Sequence, residues 1–188
     1  MTGACLAPVV TERLILRPLR ADDEEAVVRL LGDREVTDTT LRLPHPYRPE
    51  DFRRFLGIAT EMNERRTGVQ LGITLRTEGR IVGAIGLRPA EDTPAMELGY
   101  WVALAEWGRG YATEAARAMV DLAFREFPIS RVFAIHFGRN PASGRVLAKA
   151  GMRFEGLLRQ SQRKGDALED QAFYSILRPE WEARGAGS

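Results

Sequence analysis

The residues Trp107-Gly108-Arg109-Gly110-Tyr111-Ala112-Thr113-Glu114 fall between two kinds of pattern. Upstream, Glu97-Leu98-Gly99-Tyr100-Trp101-Val102 has the aromatic and branched composition of a strand. Downstream, Ala115, Ala116, Met119, Val120, Ala123 and Phe124 recur at the spacing of an amphipathic helix. The glycines therefore sit where a strand turns into a helix N-terminus. Backbone N–H groups there lack intrahelical partners, and the helix dipole adds partial positive charge. Glycine at 108 and 110 removes side chains that would keep a ligand from those donors. Two readings stand side by side: a plain turn, or a phosphate cradle.

The surrounding sequence resembles the GNAT superfamily of N-acetyltransferases, whose fingerprint is Gln/Arg-x-x-Gly-x-Gly/Ala. Trp107 to Ala112 matches it from the second position onward, with Trp107 in place of Gln or Arg. That substitution, followed by Ala-Thr-Glu-Ala, is similar to the branch that acetylates ribosomal-protein N-termini. The likeness runs along nearly the whole chain. It includes Thr11 to Pro18 at a first strand, Leu43-Pro44-His45-Pro46-Tyr47 in an early loop and Asn140-Pro141-Ala142-Ser143 at a late helix start. It ends with Tyr174 to Leu177, plus Glu180-Trp181, at a last strand.

The resemblance implies an α/β (α+β) GNAT fold: a mixed, mostly antiparallel seven-stranded sheet, splayed between its fourth and fifth strands and flanked by about four helices. It implies direct transfer of an acetyl group from acetyl-CoA to a primary amine in a ternary complex. The acceptor is a protein N-terminus or a small-molecule amine. Cofactor contacts are expected from Trp101, Val102, Gly108, Arg109, Gly110, Tyr111, Ala112, Thr113, Asn140 and Ser143, and acceptor contacts from His45, Tyr47 and Glu97.

Each residue also has a structural reading. Asn140 before Pro141 makes a helix N-cap as readily as a pantetheine contact. The family's tyrosine acid falls at Leu147, which has no proton to give, so the resemblance transfers the acid role to Ser143; the rival is a structural hydroxyl. Glu97, alone on an apolar strand, reads as a base raised by desolvation or as a solvent-facing strand end. By period-two logic Glu97, Gly99 and Trp101 share a face. Glu97 and Glu155 would suit a cationic acceptor. His136 reads as a satisfied core histidine, and Asp170 as a partner for Arg159 across the last hairpin. No cluster has metal-ligand spacing.

Positioning these groups requires strands near 12–19, 69–76, 80–88, 96–103, 131–138, 153–162 and 169–178, with helices near 22–32, 49–64, 110–126 and 140–150. Asp22 is the expected cap of the first helix. Turns are expected at Thr77-Glu78-Gly79-Arg80 and Lys164-Gly165-Asp166, with a loose tail from Arg184 to Ser188. No linker or repeat divides the 188 residues, so one domain, 1–188, is expected.

A net charge of +1 supplies no basic field for nucleic acid. No apolar run approaches the ~20 residues of a membrane span. Met1 to Val10 lacks a basic leader, and the lone Cys5 has no disulfide partner, so a cytoplasmic enzyme is expected; the resemblance implies a monomer or homodimer. Two other classes are weaker. A non-catalytic acyl-CoA-binding sensor is suggested by Leu147. A dinucleotide oxidoreductase fails because Thr113 occupies the third glycine's place and Arg131 to Gly138 ends without an acidic residue. A transferase using another acyl-CoA is the nearer alternative.

Overall fold

The computed structural model describes residues 7–185, leaving Cys5 outside. One eight-stranded sheet has the order β1-β2-β3-β4-β5-β6-β8-β7. Its strands are β1 (Val9–Val10), β2 (Leu14–Arg17), β3 (Val69–Leu75), β4 (Ile81–Pro89), β5 (Ala95–Val102), β6 (Arg131–Phe137), β7 (Arg153–Lys164) and β8 (Ala167–Leu177). The helices are α1 (Glu24–Leu30), α2 (Arg34–Asp38), α3 (Pro49–Arg65), α4 (Tyr111–Glu126), α5 (Pro141–Lys149) and α6 (Arg178–Gly185).

Alternating side chains put a core on each sheet face. Leu98 and Val102 of β5 join Leu16, Leu87, Met119 and Phe124 in one core, under α4. Trp101 joins Val27, Phe52 and Ala84 in the other, under α1 and α3. All six apolar positions that mark α4 in the sequence are buried.

Every neighbouring strand pair is antiparallel except β5 with β6. That parallel ladder joins only Ala95–Glu97 to Arg131–Phe133. Beyond it, the facing edges at 98–102 and 134–137 diverge, while β4 and β8 stay paired on the outer sides. The sheet splays there, at the expected place, and the opened edges have unpartnered ladder positions facing a cleft.

Local departures have physical causes. There are eight strands rather than seven because Val9–Val10 pairs with β2 across a turn in which the Thr11 amide donates to the Leu14 carbonyl. Among the described residues there are six helices rather than four. The first predicted one stops at Leu30, and a short α2 follows beyond Gly32; Pro179, in a helical first turn, turns the chain after β8 into α6. Trp181 therefore lies on a helix, stacked on Phe124 at 5.3 Å and donating to Asp121 at 2.7 Å. Arg184 is part of α6, not a loose tail. At the first helix Asp23, not Asp22, accepts the Arg20 amide at 2.8 Å, and its two oxygens grip Arg17. A bulge in β7 puts Gln160 at φ 49°, so Asp170 accepts from the Gln160 amide rather than pairing with Arg159.

Candidate active site

β5 ends at Val102, a short 3-10 turn follows at Leu104–Glu106, and α4 begins at Tyr111. Between them Gly108 (φ 76°) and Gly110 (φ 82°) adopt left-handed conformations that side chains resist. Gly110 is the N-cap of α4 and offers no capping side chain. Glu114 is the first amide to bond back, to the Gly110 carbonyl at 3.0 Å. The amides of Tyr111, Ala112 and Thr113 precede the helical ladder and line the cleft side of the turn. A Cβ on Gly108 would meet no protein atom within 4 Å, and one on Gly110 only Arg13 Nη2 at 3.3 Å. The space above Gly108 is open for a ligand, while Gly110 is backed by Arg13.

The turn is locked from behind by residues the sequence reading assigned no role. Arg13 donates through Nη1 to the Arg109 carbonyl at 2.9 Å and through Nε to Glu114 at 2.7 Å. Its guanidinium lies 5.0 Å from the centre of the Tyr111 ring. The Arg13 amide (2.8 Å) and Thr11 hydroxyl (2.6 Å) also donate to Glu114. Burial alone would raise the Glu114 carboxyl, but these bonds from Thr11 and Arg13 hold it below its ordinary value. Buried Glu106 pairs with Arg80 at 2.8 Å and lies 3.5 Å from Arg109 Nε. The Arg109 side chain is thus drawn toward Glu106, and its expected share in a cradle rests on its backbone. Trp107 Nε1 donates to the Val102 carbonyl at 2.7 Å, occupying part of Val102's expected binding capacity.

The opened strands lead from this turn into a cleft of about 810 Å³. Asn140 caps α5 as its sequence suggests, its Oδ1 accepting the Ser143 amide at 3.2 Å, and it also lines the cleft. Ser143 Oγ is 2.7 Å from the Tyr100 hydroxyl. Burial pushes the Tyr100 phenol up to about 12, outweighing the lowering effect of Ser143, so it stays protonated at neutral pH. Tyr100 went unmarked in the sequence because it reads there as one more strand aromatic. Its parity, opposite to that of Glu97 and Trp101, was the available signal. Leu147, at the position of the family's tyrosine, is buried in the core. His136 is buried as expected, with Nδ1 2.8 Å from the Phe137 carbonyl, but it is not satisfied as expected, because its buried Nε2 has no protein partner.

On the opposite face of β5 lie Glu97 and Trp101, with open space at Gly99 between them. Glu97 is not isolated: Arg42 grips both oxygens at 3.0 and 2.8 Å. Tyr47 lines this side and is buried; burial, with Asp51 nearby, pushes its phenol up to about 12. His45 does not line the cleft. Its ring is exposed and Nδ1 is 3.2 Å from the Thr37 hydroxyl. Glu155 also lies elsewhere, bound to Arg131 at 2.8 and 2.6 Å and to Ser175 at 2.5 Å. The expected acidic, cation-seeking pocket is therefore absent. Among the described residues no three His, Cys, Asp or Glu side chains come together as metal ligands, and no helix is long and apolar enough to cross a membrane.

A glycine turn at a helix N-terminus, opening into a splayed parallel strand pair, defines an acyltransferase architecture. Residues 13–153 match the Acetyltransferase (GNAT) domain family, and the chain belongs to that family of enzymes. It is 31% identical over 170 residues to the uncharacterized N-acetyltransferase YoaA of Bacillus subtilis (strain 168), covering 90% of this chain and 96% of that one. It superposes on a GNAT-family acetyltransferase from Bacillus anthracis with a TM-score of 0.81 and 28% identity, covering 93% and 100% of the two chains. The fold is shared with RimL, a ribosomal L7/L12 alpha-N-protein acetyltransferase in complex with coenzyme A (TM-score 0.80, 19% identity, 90% and 96% covered).

Proposed function

We propose that the protein is an acetyl-CoA-dependent N-acetyltransferase that delivers its acetyl group directly to a primary amine within a ternary complex. The observation that carries this reading is the continuity of the open turn at Gly108–Thr113 with the unpaired β5 and β6 edges and the Ser143 hydroxyl. A pyrophosphate suits the free amides, with the open space at Gly108 beside them. An extended amide-bearing arm fits the unpaired strand edge. That RimL, which shares this fold, was solved in complex with coenzyme A supports the same donor class here.

Acetyl-CoA supplies an activated thioester and a thiolate leaving group; the amine's new C–N bond replaces the C–S bond. This chain's residues manage the protons. Glu97 takes the proton released by the amine, directly or through water, while Arg42 fixes its orientation. The protonated Tyr100 phenol donates to Ser143 Oγ, which leaves the serine proton free for the departing thiolate. Trp101, Val102 and Asn140 wall the donor arm, and Tyr47 shapes the acceptor end. The acceptor is a protein N-terminus, as for the alpha-N-protein acetyltransferase RimL, or a small-molecule amine.

Thiol release on mixing enzyme, acetyl-CoA and a panel of amines and peptides tests this. Turnover with acetyl-CoA, and none without an amine, is expected. Turnover with a longer acyl-CoA alone would transfer the reading to another donor.

A further inference from the structure

The acceptor end of the cleft carries five charged side chains: Arg42, Asp51, Arg54, Arg88 and Glu97. Four neutralise one another, Arg42 with Glu97 at 2.8 Å and Arg54 with Asp51 at 2.7 Å. Arg88 is the fifth. It is half-buried and, among the described residues, has no carboxylate within ion-pairing distance. It stands directly across from Glu97 in the β4–β5 register, so the two side chains share a face of the sheet. Burial lowers the guanidinium's pKa, Arg42 adds to the effect and Glu97 opposes it, yet an arginine remains a cation.

A desolvated cation without a counter-charge is costly unless a ligand brings the anion. The planar guanidinium fork suits a carboxylate. Directly opposed residues on antiparallel strands are neighbours on one face, so Arg88 and Glu97 can address adjacent groups of one small ligand, such as the amine and carboxylate on the same carbon of an α-amino acid. Leu43, Phe55 and Ile58 line the same end and provide apolar surface for a side chain.

Resting on the acetyl-transfer reading above, we propose that Arg88 binds the carboxylate of the acceptor. The acceptor is then a free α-amino acid with an apolar side chain, its amine beside Glu97. The surplus charge at this end is positive, the reverse of what Glu97 and Glu155 suggested in the sequence.

The test compares leucine, leucinamide and 3-methylbutylamine as acceptors for the wild type, Arg88→Met and Arg88→Lys, with acetyl-CoA affinity measured alongside by calorimetry. The wild type is expected to favour leucine over leucinamide by about tenfold or more in kcat/KM. Arg88→Met should lose on the order of 100-fold on leucine and much less on leucinamide, while Arg88→Lys, which keeps the charge but not the fork, falls between. Acetyl-CoA affinity should not change in either variant. Equal use of leucine and leucinamide, or equal losses on both in a variant that still binds acetyl-CoA, would overturn carboxylate recognition and leave acetyl transfer standing. Acetyl-CoA binding with transfer to none of the three would also overturn it. A wild type that does not bind acetyl-CoA would instead remove the underlying reading.

Discussion

The two ends of the cleft are built from different material. The donor end is mostly backbone: a contiguous turn from Gly108 to Thr113, the open edges of β5 and β6, and the capped start of α5. The acceptor end is mostly side chains gathered from separate segments, with Arg42 reaching Glu97 across 55 residues of sequence and Arg88 arriving from β4. Backbone amides recognise what an invariant reagent always presents. Side chains on different segments can be exchanged singly while the scaffold stays the same, which suits a variable acceptor.

The sharpest way to break this contrast is to put a side chain into the backbone cradle. Gly110→Asp adds a side chain at φ 82°, its Cβ 3.3 Å from Arg13 Nη2, so the turn is strained and its lock disturbed, and a negative charge is added beside the helix N-terminus. Turnover should fall on the order of 100-fold or more with the fold retained by circular dichroism. Normal turnover would show that the turn is only a turn.

Next in size is Ser143→Ala, which should lower kcat by roughly 10- to 100-fold while the acetyl-CoA dissociation constant stays within about threefold. Tyr100→Phe should give a smaller loss of the same kind, since it removes the proton that orients the serine. Full activity in Ser143→Ala would take the serine out of the proton path.

The lock behind the turn offers a pH-dependent probe. Because Glu114 is held below its ordinary value, its contribution to stability is present above about pH 4.5 and is lost as pH falls through the folded value. Glu114→Gln should therefore melt several degrees below wild type at pH 7, and the gap should narrow at pH 3.5. A gap that is unchanged by acid would deny the carboxylate this role.

At the acceptor end, His45→Ala should change kcat/KM by less than about twofold, because an exposed surface ring contributes little. A tenfold loss would place the histidine in the site after all.

What the sequence made legible follows the same division. The glycine turn, α4, the Asn140 cap and the burial of His136 are local patterns, in which neighbours in sequence are neighbours in space. Tyr100 was missed because its importance lies in a contact 43 residues away, to Ser143. Arg13 and Thr11 were quoted only for likeness because their bonds to Glu114 join β2 and its preceding turn to α4. Glu97 was read as isolated because nothing near it in sequence foretold Arg42, and Glu155 was placed in the cleft because its partner Arg131 lies on another strand. α6 and the bulge at Gln160 depended on a proline's helical preference and a register shift that strand periodicity does not reveal.

The measurement that bears most directly on a backbone-built donor site is a calorimetric titration of wild type and Gly108→Asp with acetyl-CoA, beside NAD. A Cβ at Gly108 touches no protein atom, so apart from the backbone strain at φ 76° this variant alters chiefly the ligand's space, and its fold is checked by circular dichroism. Saturable binding of acetyl-CoA and not NAD by the wild type, lost in folded Gly108→Asp, is the predicted result. Equal affinity in the two proteins, or no acetyl-CoA binding by the wild type, would contradict the account.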